Sequence, residues 1–127
     1  LGVSGRSDDL RELEVYAASD DSSALALKMF CYRVRKYIGT YLAVLGGADA
    51  IIFGGGIGEN WDTGRARICV GLQQLGIVLD ETRNREANGR EACISADGSR
   101  IKLYVIPLDE ELYMARTAAR LVGTEST

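Results

Sequence analysis

The chain predicts an α/β fold, with a short, mostly parallel sheet flanked by helices. Three observations lead there. An apolar run, Asp49 to Phe53, ends in glycines and feeds a helical pattern. A long apolar stripe at helical spacing precedes it. Two strand-like segments, Ala92 to Ser95 and Ile101 to Ile106, flank an Asp97-Gly98 turn.

Each element has a local reason. Residues 1–8 are polar and rich in glycine and serine, as loops are. Asp9 followed by Glu12 makes a capping pair, so a short helix runs from Leu10 to about Ala18. Asp20, Asp21, Ser22 and Ser23 offer N-caps for a long helix ending near Leu45. Leu27, Phe30, Val34, Tyr37, Ile38, Tyr41, Leu42 and Leu45 form its stripe, and Gly46-Gly47 ends it. Its tyrosines read as core or interface. Asp49 to Phe53 is short and apolar enough for a buried parallel strand.

After that strand, Asn60 can cap a helix that buries Ile68, Leu72 and Leu75 and stops at Gly76. Residues 77–91 read as charged and irregular, with an Asn88-Gly89 turn. Pro107 and Asp109 start the last helix, with Leu112, Ala115, Ala119 and Val122 on its buried side. Residues 123–127 are expected to fray.

The length of 127 residues suits one domain, and at 46% hydrophobic it can fill a core. A net charge of −3 argues against a nucleic-acid partner. The basic cluster Arg33, Arg35 and Lys36 reads as a solvated helix face. No apolar stretch approaches a membrane span, and no signal peptide is visible. Cys31, Cys69 and Cys93 are odd in number, and histidine is absent, so they read as reduced thiols of a cytoplasmic protein.

The loop Gly54-Gly55-Gly56-Ile57-Gly58-Glu59-Asn60 carries the functional signal. Glycines let backbone approach a ligand, and free amides at a helix start favour an anion. The loop has no Gly-Lys-Ser/Thr ending, so it is not a P-loop. Trp61 stands where a dinucleotide fingerprint needs its third glycine. What remains open is a phosphate or nucleotide loop of another kind, or a plain tight turn.

Phe53-Gly54-Gly55-Gly56-Ile57-Gly58-Glu59-Asn60 resembles the Phe-Thr-Gly-Gly-Ile-Gly-Glu-Asn signature of the acetate kinases. Ser4-Gly5-Arg6-Ser7-Asp8-Asp9-Leu10-Arg11 is similar to a Ser-Gly-x-Ser-x-Asp-x-Arg segment of the same family. The stretches Phe30 to Gly39, Leu75 to Asp80 and Val105 to Glu111 resemble further family segments in the same order. Three positions depart from the pattern. Gly54 and Leu108 each replace a threonine, and Trp61 replaces a small residue.

The resemblance implies an actin-like ATPase (ribonuclease H-like) lobe. Residues 1–127 would be the C-terminal, nucleotide-side domain of an acetate kinase, a fragment without the N-terminal domain. It implies nucleotide binding by Asp9, Leu10, Arg11, Gly56, Ile57, Gly58, Glu59 and Asn60. It implies Glu110 as the ligand of Mg²⁺, with ATP or ADP. The residues themselves leave bland alternatives. Asp9 and Asn60 are good helix caps, and acids at 109–111 suit a helix start unaided. The family's catalytic histidine and acyl-side arginines have no counterpart here, so no catalytic residue is assigned. The implied reaction is phosphoryl transfer between ATP and acetate, by a cytoplasmic homodimer. The alternatives are a propionate or butyrate kinase, or a non-catalytic nucleotide-binding or dimerising module.

Overall fold

The computed structural model describes residues 2–123, with side chains at all of these except 110, 122 and 123. Helix α1 spans Leu10–Tyr16, and the Asp9 carboxylate accepts the Arg11 N–H at 2.8 Å as its N-cap. Helix α2 spans Asp21–Leu45. Asp20 caps it, accepting the Ser23 N–H at 2.8 Å and the Ser22 hydroxyl at 2.9 Å. Its other end closes on Gly46, whose φ of 71° only glycine adopts readily, and Gly47 N–H reaches back to the Leu42 carbonyl.

Strand β1, Ala50–Phe53, runs parallel to β3, Lys102–Val105, and β2, Ala92–Cys93, pairs antiparallel with β3. The sheet order β1-β3-β2 puts β3 in the centre. The expected hairpin is present, and Ser99 N–H closes its turn onto the Ala96 carbonyl across Asp97-Gly98. Strand β1 is not buried as expected. It is an edge strand, and Ile52 is 59% exposed. Only Phe53 of this strand is buried.

The region after β1 folds differently from its sequence pattern. In place of one helix begun at Trp61 there are two short ones, α3 over Gly55–Asn60 and α4 over Asp62–Cys69. Trp61 breaks them apart with φ −117° and ψ 76°. Asn60 is therefore not an N-cap. It ends α3 and donates to the Gly56 carbonyl. A short 3₁₀ turn, Gln73–Leu75, precedes Gly76. Residues 77–91 are not irregular throughout, since α5 spans Glu81–Glu86 and is capped by Asp80 onto the Arg83 N–H.

The core joins Leu13 and Leu27 to Phe53, Ile68, Ile77, Ile94, Leu103 and Val105. Tyr37 and Tyr41 lie outside it, 58% and 60% exposed and stacked on each other along α2. Helix α6, Glu110–Gly123, has no buried side at its described positions. Leu112, Ala115 and Ala119 face solvent there, which corrects the expected core side, and Val122 lies outside the described side chains. The expected fraying concerns residues 123–127, of which 124–127 lie outside the described residues. Among the described residues, no helix is long and apolar enough to cross a membrane.

Candidate functional site

A cleft of about 650 Å³ opens between two walls. Asp8, Asp9, Leu10 and Arg11, at the start of α1, make one. Gly54, Gly55, Gly56, Ile57, Asn60 and Trp61 make the other. The volume lies in the range of small-molecule sites. The fold thus brings together two segments far apart in sequence. Gly54 precedes α3 in extended backbone, and Gly55 takes φ 70°, which suits glycine. The helical turn therefore starts inside the glycine run, not at Trp61.

On the first wall, Arg11 folds back on Asp9. Its Nη2 lies 2.7 Å and its Nε 3.2 Å from the Asp9 carboxylate. These charged hydrogen bonds, joined by the Arg11 backbone N–H, hold the Asp9 carboxyl at about 2, below the usual carboxylate range. Asp9 raises the guanidinium in return.

Of the expected site residues, Asp9, Leu10, Arg11, Gly56, Ile57 and Asn60 line the cleft. Gly58 and Glu59 do not. A Cβ on Gly58 would stand 3.1 Å from the Phe53 carbonyl carbon, so its glycine serves packing of α3 on β1. Glu59 points to the other side of the loop and accepts the Leu108 N–H at 2.7 Å. It braces the segment leading to α6, where Asp109 accepts the Leu112 N–H as a cap. Gly54 belongs to the same brace. A Cβ there would meet Leu108 Cδ1 at 3.0 Å and the Ile106 carbonyl at 3.3 Å. The side chain of Glu110 lies outside what the structure describes. Among the described residues, no group of three or more metal-ligating side chains gathers.

Two further residues organise the site. Arg65 on α4 is 1% exposed. Its guanidinium donates to the Gly58 and Glu59 carbonyls at 2.7 and 3.0 Å, to Asn84 Oδ1 and the Asn84 carbonyl, and to Asn88 Oδ1. No carboxylate pairs with it among the described residues. Burial pulls its pKa down. It satisfies the last carbonyls of α3, which the helix itself leaves free. Trp61, 5% exposed, leans on Phe30 with ring centres 6.0 Å apart. A signal for Arg65 was present. Trp61, Arg65, Ile68 and Leu72 recur at four- and three-residue spacing, so Arg65 sits on the stripe that goes inside.

The acetokinase family model matches residues 1–116. The acetate kinase of Chloroherpeton thalassium is 50% identical over 125 residues, covering 96% of this chain and 30% of that protein. The crystal structure of Porphyromonas gingivalis acetate kinase superposes with a TM-score of 0.86 at 40% identity, over 96% of this chain and 31% of that one. A propionate kinase from Francisella tularensis superposes at 0.79 with 34% identity, over 91% of this chain and 29% of its own. The chain therefore spans about a third or less of the length of each of these relatives.

Proposed function

The chain belongs to the acetokinase family, and on that premise we propose that it supplies the nucleotide side of an acetate kinase, which moves a phosphoryl group between ATP and acetate to give ADP and acetyl phosphate. The observation that carries this reading is the cleft itself. Six of the residues expected to touch nucleotide converge on it from two distant segments.

Phosphoryl transfer asks a protein for positioning and charge stabilisation more than covalent chemistry. The glycine wall offers bare backbone to phosphates. Arg11 offers a planar cation to a base, and Asp9 an acceptor to a ribose hydroxyl. Asp9 accepts three N–H bonds from Arg11. Gly58 and Glu59 act at one remove, by holding the loop and the segment at 106–109. Glu110 would hold Mg²⁺, a hard cation that suits one carboxylate plus phosphate oxygens and water. When bound, that ion neutralises phosphate charge. The acyl-side groups belong to sequence not represented here, so the 127-residue chain alone is expected to make no acetyl phosphate.

Trp61 is the sole tryptophan and lines the cleft, so its fluorescence reports ligand directly. Titration with MgATP should give a weak dissociation constant, about millimolar, equivalent to ~4 kcal/mol. Arg11→Ala and Glu110→Ala should each weaken it. Binding that neither change moves would place the nucleotide elsewhere. Catalysis is assayed in the protein completed with the family's N-terminal part, with acetate, propionate and butyrate compared. The likeness to a propionate kinase keeps that second acid in view.

The outer face of α2 supports a homodimer, because Tyr37, Tyr41 and Leu45 are all more than half exposed. Light scattering should give about twice the monomer mass. The three free cysteines suit the reducing cytoplasm.

A further inference from the structure

Every hydrogen bond and ion pair described between α1 and residues 54–69 ends on one side chain. Glu14 accepts the indole N–H of Trp61 through Oε2 and the Thr63 hydroxyl at 2.7 Å through Oε1. Arg67 Nη2 lies 3.4 Å from Oε1. α1 and α4 each pack on α2. We propose that Glu14 is the positioning residue that sets the width of the cleft, tying the wall that carries Asp9–Arg11 to the wall built by the glycine loop and Trp61.

The geometry makes this bond hard to replace. Trp61 sits at the break between α3 and α4, where the chain leaves the glycine wall. Its ring lies against the backbone of Gly64, where a Cβ would overlap ring carbons Cε3 and Cδ2. That contact and Phe30 fix the ring, so the indole N–H has one direction left, and Glu14 stands in it. Glu14 itself has only a few side-chain torsions to order, and three donors hold it. Carboxylate acceptors make stronger hydrogen bonds than neutral ones, so the tie suits a charge rather than an amide. Glu14 is one helical turn beyond Leu10 on α1, so a shift at its carboxylate moves Asp9 and Arg11 with it.

This inference rests on the nucleotide reading of the cleft, and its test separates the two. ATP touches both walls, whereas inorganic tripolyphosphate needs only the glycine wall. Glu14→Ala should raise the ATP dissociation constant about tenfold, the size of one lost charged hydrogen bond, and leave that of tripolyphosphate within about twofold. Glu14→Gln, which keeps one acceptor oxygen but loses the charge and the second acceptor, should fall between wild type and Glu14→Ala in ATP affinity while leaving tripolyphosphate unchanged. A purely structural role would weaken both ligands alike, and that result overturns the inference while leaving the nucleotide reading intact. A wild-type chain that binds neither ligand overturns the nucleotide reading and the inference with it. Should Glu14→Ala fail to fold, Trp61→Phe removes one donor and keeps the ring; calorimetry should then show the same selective loss for ATP, and an equal loss for both ligands would again refute the tie.

Discussion

Gly64→Ala sets two physical rules against each other. Gly64 lies inside α4. Helix propensity alone says that alanine there should stabilise by about 1 kcal/mol. The structure says otherwise. The new methyl would stand 2.6 Å from Cζ3 of the Trp61 ring and nearer still to Cδ2 and Cε3, well inside van der Waals contact. The ring cannot slide freely, because Phe30 lies on it and Glu14 holds its N–H. Overpacking of this kind costs about 1–3 kcal/mol, and breaking the charged hydrogen bond about 1.5–3 more. After the propensity gain, a net loss of roughly 1.5–5 kcal/mol remains. For a domain of this size that lowers Tm on the order of 10 °C. Urea unfolding followed by far-ultraviolet circular dichroism measures it, and Trp61 emission should shift to the red in the native state. Trp61→Ala should absorb the penalty, so that Gly64→Ala costs little in that background. A Gly64→Ala protein as stable as wild type, with unchanged emission, would refute the reasoning.

Three further outcomes follow from the same geometry. Arg65→Met should cost about 3 kcal/mol or more in urea unfolding, because it removes five hydrogen bonds from a buried guanidinium and leaves the Gly58 carbonyl and the Asn84 and Asn88 side-chain oxygens without that donor. Asp20 is held at about 2 by its bonds to Ser23 and Ser22, against 3.8 for a free aspartate. Its contribution to stability is therefore present above pH ~4 and drains away as pH falls toward ~2; Asp20→Asn should flatten that part of the urea midpoint against pH. Gly54→Thr should destabilise by about 1–2 kcal/mol through contact with Leu108 and the Ile106 carbonyl, and Gly54→Thr with Leu108→Thr should recover most of it in thermal unfolding.

The elements with strong local signals were legible in the chain. Asp20 and Gly46 bracket α2 as expected, and Asp97-Gly98 turns the hairpin. The cleft was legible through its two motifs, although Gly58 and Glu59 turn out to support it from behind. What stayed hidden had physical reasons. Helix α5, Glu-Thr-Arg-Asn-Arg-Glu, carries no apolar period because its inward residue is Asn84, which is buried against Arg65. The break at Trp61 follows from the ring needing the Gly64 slot, a contact that no propensity scale contains. The exposure of Tyr37, Tyr41 and α6 could not be read from spacing, which says that apolar groups share a side but not what lies opposite it.

The contact between positions 54 and 108 also has a direction in time. If the family's pattern of two threonines came first, the two replacements could not have occurred in either order at equal cost. Leucine arriving at 108 while 54 still bore a side chain would have met a Cβ at 3.0 Å. Glycine arriving at 54 first would only have opened space beside the loop. Glycine first is thus the path with no contact to relieve, whereas a return to threonine at 54 now requires the exposed Leu108 side chain to turn aside.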